Sequence, residues 1–305
     1  MTYRLNGIIN VLKPPGMTSS DVVVLLRRSL AVKKVGHTGT LDPEAAGVLP
    51  ICLGKATKIA DYIMHQNKVY RCEMKLGVET DTSDMTGKII STSDNFPDLT
   101  KIIDALNQFL GEIDQKPPMY SAIKVDGKKL YELARQGIEL DIPPRRINIF
   151  SLTLLSFNPP DTVLFEVVCS KGTYIRSLCR DIGRYLGCGA TMSFLLRTKT
   201  GSFFVQDSNT LDEILLAAEQ GTLEKIILPI DTALQAVMPS IILRHDCLEK
   251  VSQGNRVSID LVINNISEIE QGQNCSIFCD DTFMGIGYYA VEENIGYIKM
   301  KNVLR

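Results

Sequence analysis

The feature that most constrains this chain is a loop rich in glycine and threonine near its start, residues 36–47. It reads Gly-His-Thr-Gly-Thr-Leu-Asp-Pro-Glu-Ala-Ala-Gly and lies between an amphipathic run (21–30) and an apolar run (48–53). Glycine reaches backbone conformations that residues with a Cβ seldom adopt, so the loop can turn sharply and present a His and an Asp. Its glycine spacing fits neither a P-loop nor a dinucleotide fingerprint. The loop therefore predicts a positioned site that is not a nucleotide cradle.

Asp42 in this loop has two interpretations. Asp is a good N-cap, Pro43 suits the first helical position and Glu44 suits the first turn, so local physics alone favours a helix that begins here. Alternatively, a carboxylate held in such a loop is a candidate base or nucleophile.

Composition excludes several classes of protein. The 305 residues are 45% apolar and 22% charged, which indicates an ordinary globular chain of one large and one small domain. The net charge is −2, so any nucleic-acid site must be a local basic patch. Eight cysteines occur without a Cys-x-x-Cys pair, which predicts reduced, buried thiols and no metal or cofactor. No secretory or membrane-length segment is found, so we expect a cytoplasmic protein without a membrane partner.

Three further stretches are distinctive. The run 68–78 reads as a strand, in which Tyr70 is by default a half-buried aromatic. The stretch from 116 to 135 carries five basic and two acidic residues with two tyrosines, which suits a surface that touches phosphate and base, although a charged hairpin explains it equally. Ser19, Ser20 or Asp21 is predicted to cap a first helix, and the β-rich run 163–169 predicts a strand. A helix is predicted to begin after it, at Ser170 or Thr173, and Arg176 falls off the apolar face of that helix.

Residues 35–58 resemble, over some two dozen consecutive positions, the catalytic motif of the TruB-type tRNA pseudouridine synthases. The motifs Lys-x-Tyr at 68–70 and Gly-Thr-Tyr-Ile-Arg-Ser-Leu at 172–178 are similar to that family as well. The resemblance implies an isomerase that converts uridine to pseudouridine at position 55 in the T loop of tRNA by base flipping. No cofactor is implied, and the expected partner is the T stem-loop.

The resemblance also implies roles for individual residues. Asp42 would be the essential carboxylate, Arg176 would pair with it, and Tyr70 would stack on the uracil and shuttle the proton from C5. Tyr174 would line the pocket, His37 would help to hold the extruded nucleotide, and Leu195 would contact the uracil.

Four lysines are further candidates for RNA binding. Lys13, in Lys-Pro-Pro-Gly, is by default a solvated loop charge, and its family counterpart suggests a phosphate or structural role. Lys124, Lys128 and Lys129 lie in a stretch that resembles the family's thumb-like insertion. Leu196 stands where the family commonly has Arg, which removes one phosphate contact.

The implied fold is mixed α/β (α+β), with a mainly antiparallel sheet. We expect a catalytic domain at 1–238, an insertion at about 116–141, and a small PUA-like β barrel at 239–305. The chain from 240 carries six basic and nine acidic residues, which argues against a strong RNA grip there. We expect a monomer that needs no protein partner.

Two other functions remain open on the residues alone. One is a non-catalytic RNA-binding protein or tRNA folding chaperone on the same scaffold. The other is a hydrolase that uses Asp42 as a base, with Glu44 as the nearby second carboxylate that glycosidases normally require.

Overall fold

The computed structural model describes residues 5–121, 123–125, 127–134, 136–138 and 140–304. Its strands are β1 (Gly7–Lys13), β2 (Val35–His37), β3 (Ala46–Leu53), β4 (Lys68–Leu76), β5 (Val78–Thr80), β6 (Ile89–Thr92), β7 (Gly111–Gln115), β8 (Lys124–Val125), β9 (Lys128–Lys129), β10 (Arg145–Asn158), β11 (Thr162–Cys169), β12 (Ala190–Thr200), β13 (Phe203–Phe204), β14 (Ile227–Leu228), β15 (Ser240–Leu243), β16 (Val257–Ser258), β17 (Asn274–Cys279), β18 (Thr282–Glu292) and β19 (Ile295–Val303). Its helices are α1 (Ser19–Ser29), α2 (Ala60–Met64), α3 (Leu99–Gln108), α4 (Leu130–Ala134), α5 (Ile175–Tyr185), α6 (Leu211–Glu219), α7 (Ile230–Gln235) and α8 (Leu248–Ser252).

A ten-stranded sheet runs through the first three quarters of the chain. Its main path is β14-β1-β3-β12-β4-β11-β10-β7, with β2 added beside β3 and β13 beside β12. Every pairing in it is antiparallel except that of β3 with β12. The predicted mixed, mainly antiparallel α/β fold is therefore confirmed.

Both faces of this sheet are covered, which explains the uninterrupted apolar run in β3. Leu49, Ile51 and Leu53 belong to a large core that also includes residues of α1, α3 and α5. The alternate residues Val48 and Cys52 belong to a second core with α2 and α7. A strand buried on both faces needs apolar residues at every position rather than at alternate ones.

Two predicted helix starts differ from the structure. The residue that caps α1 is Thr18, one position before the candidates Ser19 to Asp21, and Asp21 completes a capping box with it. Helix α5 starts at Ile175 rather than at Ser170 or Thr173. Its N-cap is Tyr174, whose side chain makes no capping hydrogen bond. The cap at α1 was misplaced because several adjacent side chains suit that role equally well.

The stretch that resembles an insertion forms a small unit at one end of the large sheet. The strands β8 and β9 pair as a short ribbon, and α4 follows directly. Leu130, Leu133 and Ile142 form its own small apolar cluster.

The C-terminal strands form a separate sheet in the order β15-β17-β18-β19-β16. The segment after β16 returns to β15, where Arg244 N–H donates to the Leu261 carbonyl and Ile263 N–H donates to the Ile242 carbonyl. The sheet therefore curls back on itself around its own apolar core. All eight cysteines are buried and none is in a disulfide, as predicted. Among the described residues, none of the helices combines the length and the apolar character that a membrane crossing needs.

Candidate active site

The glycine-rich loop joins β2 to β3 and turns immediately after Asp42. The Ala45 N–H donates to the Asp42 carbonyl at 3.1 Å, and β3 begins at the next residue, so no helix follows Pro43. The interpretation of Asp42 as an N-cap is therefore wrong. Gly47 has a φ of +117°, and a Cβ there would lie 2.2 Å from the Arg197 carbonyl oxygen. A glycine is required at that point because β3 and β12 approach each other too closely for a side chain.

Asp42 and Arg176 form a two-point ion pair. Arg176 Nε lies 2.8 Å from Asp42 Oδ2, and Nη2 lies 2.9 Å from Oδ1. The Arg176 side chain is 4% exposed, whereas that of Asp42 is 34% exposed. The guanidinium therefore fixes the direction of the carboxylate from the buried side and leaves it open to a substrate on the other.

Two further N–H groups of Arg176 bond backbone carbonyls. Nη1 donates to the Thr82 carbonyl at 3.2 Å, and Nη2 donates to the Tyr120 carbonyl at 2.8 Å. Asp84 Oδ2 lies 3.7 Å from Nε. The turn between β5 and β6 thus contributes a carbonyl and a carboxylate to the surroundings of the guanidinium, which restricts the directions that the ion pair can take.

Tyr70 and Leu195 lie on the face of the large sheet that carries this pair. Tyr70 of β4 stands opposite Arg197 of β12, and Cys72 stands opposite Leu195, so the four side chains share one face. Tyr70 and Leu195 are both buried. Burial raises the pKa of Tyr70, and the hydrogen bond and charge of Arg197 only partly oppose that effect. The phenol is therefore protonated at neutral pH.

Arg197 is a site residue that the sequence analysis missed. Its side chain is 1% exposed, and it donates to the carbonyls of Val48 at 2.7 Å, Gly39 at 3.1 Å and Thr40 at 3.3 Å. Its guanidinium also acts on the phenol of Tyr70, whose pKa it lowers against the larger effect of burial. Arg197 therefore ties the glycine-rich loop to the strand that carries the phenol. The sequence offered one indication of this. Arg197 lies two residues after Leu195, and side chains two residues apart in a strand point to the same face of the sheet.

Tyr174 lies at the start of α5, two residues before Arg176, and is half-buried. Burial raises the pKa of its phenol, the nearby Asp42 charge acts in the same direction, and the Arg176 charge opposes them. The Asp42 charge raises the pKa of Tyr70 as well. The structure thus brings the carboxylate, the guanidinium and both phenols into one site.

His37 ends β2 at the edge of this site. The Gly39 N–H donates to its Nδ1 at 3.3 Å, so Nδ1 is an acceptor and the ring proton lies on Nε2. Burial and the Arg197 charge lower the pKa of His37, in that order. The ring is therefore neutral at neutral pH and suits a contact or a wedge.

The contacts of Lys13 fit the structural role among its expected alternatives, rather than a solvated loop charge or a phosphate contact. Its side chain is fully buried, and Nζ donates to the carbonyls of Met17 at 2.6 Å, Pro14 at 2.7 Å and Pro43 at 3.0 Å. Burial lowers its pKa to about 8, against the raising effect of Glu44 and Asp42. Because an ammonium has three donors and all are used here, Lys13 holds the carbonyl next to Asp42 and none of its N–H groups is left for a phosphate.

The other three lysines lie on the ribbon of β8 and β9, which is separate from the large sheet. Lys128 is exposed on β9. The backbones of Lys124 and Lys129 form the same ribbon, but their side chains lie outside the described part of the chain.

Known proteins of one family match this chain over most of its length. The family described as "TruB family pseudouridylate synthase (N terminal domain)" matches residues 27–175, and "tRNA pseudouridylate synthase B C-terminal domain" matches residues 176–235. A "tRNA pseudouridine synthase B" from Alkaliphilus oremlandii is 47% identical over 98% of this chain and 99% of its own length. A "tRNA pseudouridine synthase B" from Clostridioides difficile is 43% identical over 97% of this chain and 98% of its own length.

Solved structures with the same fold are more distant in sequence. A chain of an H/ACA RNP bound to a substrate RNA containing 2'-deoxyuridine has a TM-score of 0.76 and 27% identity, over 98% of this chain and 85% of its own. A chain of a Cbf5-Nop10-Gar1 complex has a TM-score of 0.77 and 28% identity over the same shares.

Proposed function

The chain belongs to the TruB family of pseudouridylate synthases, and we propose that it isomerises the uridine at position 55 in the T loop of tRNA. As a member of this family it is an enzyme that converts uridine to pseudouridine in tRNA. The observation that carries the role of Asp42 is its carboxylate, which Arg176 holds beside two phenols and which is one-third open to solvent. The choice of position 55 is supported by the resemblance of residues 35–58 to the catalytic motif of this family.

The reaction is an isomerisation and needs no redox partner or group donor. The N1–C1′ bond breaks, the uracil rotates and C5 joins C1′; the proton leaves C5 and N1 gains one. Asp42 supplies the anion, whether its oxygen attacks C1′, attacks C6 or removes the C2′ proton. All three routes place the carboxylate beside the glycosidic bond, because C1′, C6 and C2′ all lie within two bonds of N1, and the ion pair with Arg176 would hold it in a fixed direction there.

The target base must leave its stack to reach that carboxylate. Tyr70 would stack on the extruded uracil, Leu195 would close the apolar side of the pocket, and Tyr174 would hydrogen-bond the base. His37 would contact the nucleotide from the loop. A flipped base costs a few kcal/mol of lost stacking and pairing, and a T loop that is already partly unstacked reduces that cost.

We further propose that residues 1–238 form the catalytic domain and 239–305 a PUA-like domain. The last strand of the large sheet is β14, the first of the small sheet is β15, and each sheet has its own core. Lys124, Lys128 and Lys129 of the insertion (116–141) would contact RNA phosphates. The chain would act in the cytoplasm, as a monomer and without a protein partner.

The direct test is to incubate an unmodified tRNA transcript with the protein and map every pseudouridine formed. We expect one modified uridine at position 55, and no tritium release from a 5-³H-uridine transcript that carries cytidine there. Modification elsewhere would contradict the T-loop proposal, and free uracil would indicate a hydrolase instead.

Tyr70→Phe is expected to slow single turnover by about 10²-fold, within the range that a positioned acid–base group contributes. The ring still stacks, so tRNA affinity should stay within about threefold of the parent. Tyr185→Phe, at an exposed tyrosine of α5, is the matched control and should change neither quantity. If Tyr70→Phe turns over at the parent rate, the hydroxyl has no chemical part.

Lys13→Met is expected to lower turnover by about tenfold, because the turn at Pro43 next to Asp42 loses its support. The slope of log K against log salt should not change, since each phosphate contact contributes about one unit of slope. Lys128→Met is the matched comparison, and it should reduce that slope by about one. A slope reduced by about one in Lys13→Met would instead identify Lys13 as a phosphate contact.

A further inference from the structure

The beginning of the insertion is bonded to α5 by side chains of that helix. The Ser177 hydroxyl donates to the Lys116 carbonyl at 3.0 Å, and Arg176 Nη2 donates to the Tyr120 carbonyl at 2.8 Å. The same Nη2 holds Asp42 Oδ1. The Arg176 guanidinium is therefore in direct contact with the beginning of the insertion.

Gln115 immediately precedes this segment and makes a different kind of contact. Its Nε2 donates to the Tyr174 carbonyl at 3.0 Å, and the Tyr174 N–H donates to its Oε1 at 2.8 Å. Gln115 is 2% exposed. Its whole amide is thus used on the backbone of one residue, Tyr174, whose own side chain does not cap α5.

Gln115 belongs to the large sheet rather than to the insertion. It is the last residue of β7, where it stands opposite Arg145 of β10. The insertion beyond it has its own apolar cluster. The amide of Gln115 therefore ties the start of α5 to the sheet that carries Tyr70, whatever contacts the insertion makes with RNA.

We infer that Gln115 is a positioning residue for the reaction, because its amide fixes the Tyr174 backbone and so places the Tyr174 phenol and the Arg176 guanidinium against Asp42. This inference rests on the proposed function. Displacing reacting groups by about 1 Å costs about 10²-fold in rate. Gln115 is nearly fully buried and both polar atoms of its amide bond the Tyr174 backbone, so its role is to position Tyr174 rather than to contact the substrate.

The first test is Gln115→Met, which keeps the length of the side chain and removes both hydrogen bonds. We expect the single-turnover rate constant to fall by about 10- to 100-fold, while the tRNA dissociation constant stays within about threefold. Asp114→Asn, at the exposed preceding residue of β7, is the matched control and should match the parent in both quantities. A purely structural residue would lower the active fraction and not the rate constant of the active enzyme.

A double-mutant cycle with Tyr174→Phe tests whether Gln115 acts through the phenol. We compare how much Gln115→Met lowers the logarithm of the single-turnover rate constant in two backgrounds. The decrease in the Tyr174→Phe background should be less than about half of the decrease in the parent. Gln115→Asn keeps both polar groups of the amide on a side chain that is one methylene shorter, so an intermediate loss is expected. It replaces Gln115→Met if that variant does not fold.

A rate constant within twofold of the parent in either folded variant, or full additivity with Tyr174→Phe, would overturn the inference. Each rate constant is compared with that of the parent enzyme at the same uridine, which is the one that the parent modifies. If the parent modifies another uridine of tRNA, the T-loop proposal fails while the role of Gln115 is still measured.

Discussion

Asp42→Asn is expected to reduce pseudouridine formation by about 10⁴-fold, the upper end of what one positioned acid–base group contributes. An amide is close in shape to the carboxylate and still offers one oxygen to Arg176. It cannot attack C1′ or C6 as an anion, nor can it take a proton from C2′. Single-turnover tritium release from 5-³H-uridine tRNA measures the loss.

Binding of tRNA by this variant should remain within about threefold of the parent, because the carboxylate is one group of an extended interface. Asp42→Ala should be equally inactive, and it cannot regain a carboxylate by slow hydrolysis of an amide. Glu44→Gln, two residues further in the same turn and exposed, should retain parent activity. Sustained turnover by either Asp42 variant would remove the carboxylate from the mechanism.

The second large effect is expected from Arg176→Lys, which should lower the single-turnover rate constant by about 10²- to 10³-fold with little change in tRNA affinity. A guanidinium holds both carboxylate oxygens of Asp42 in a fixed plane, whereas an ammonium is a point charge on a flexible stem. Lysine also cannot bond Asp42, Thr82 and Tyr120 in the present directions. The carboxylate would therefore lose its orientation while the local charge stays the same.

Arg184→Lys is the matched control on the same helix, because Arg184 is largely exposed and pairs with Glu79 away from the site. It should match the parent in rate and in affinity, since exposed ion pairs contribute little to stability. A rate for Arg176→Lys within threefold of the parent would show that charge alone is sufficient and that the two-point geometry is not needed.

Local patterns predicted the elements of the fold well and their ends less well. The apolar period of α5 and the alternation in β11 place both elements within a few residues of their observed limits. The cap of α1 moved to Thr18, since adjacent Ser, Thr and Asp side chains suit an N-cap equally. The resemblance, rather than periodicity, supplied the expectation of a mixed, mainly antiparallel sheet.

The errors at the site share one physical cause. Asp42-Pro43-Glu44 has the chemistry of a helix start, yet a turn and β3 follow, because the backbone bonds of that segment are made with β1 and β12. Lys13 was expected at the surface and is buried, because three carbonyls from two loops surround its ammonium. Arg197 and Gln115 were not singled out, although both are buried and both hold parts of the site.

The sequence by itself determined which side chains are available: a carboxylate in a glycine-rich loop, two tyrosines, a buried-face leucine and a basic helix. It also determined, through its motifs, the family to which these belong. Only the tertiary structure decided which of these groups touch. The contacts of Arg176 with Asp42 and of Gln115 with Tyr174 join residues far apart in the chain. Such contacts follow from how strands and helices pack in space, and local propensity or periodicity carries no information about them.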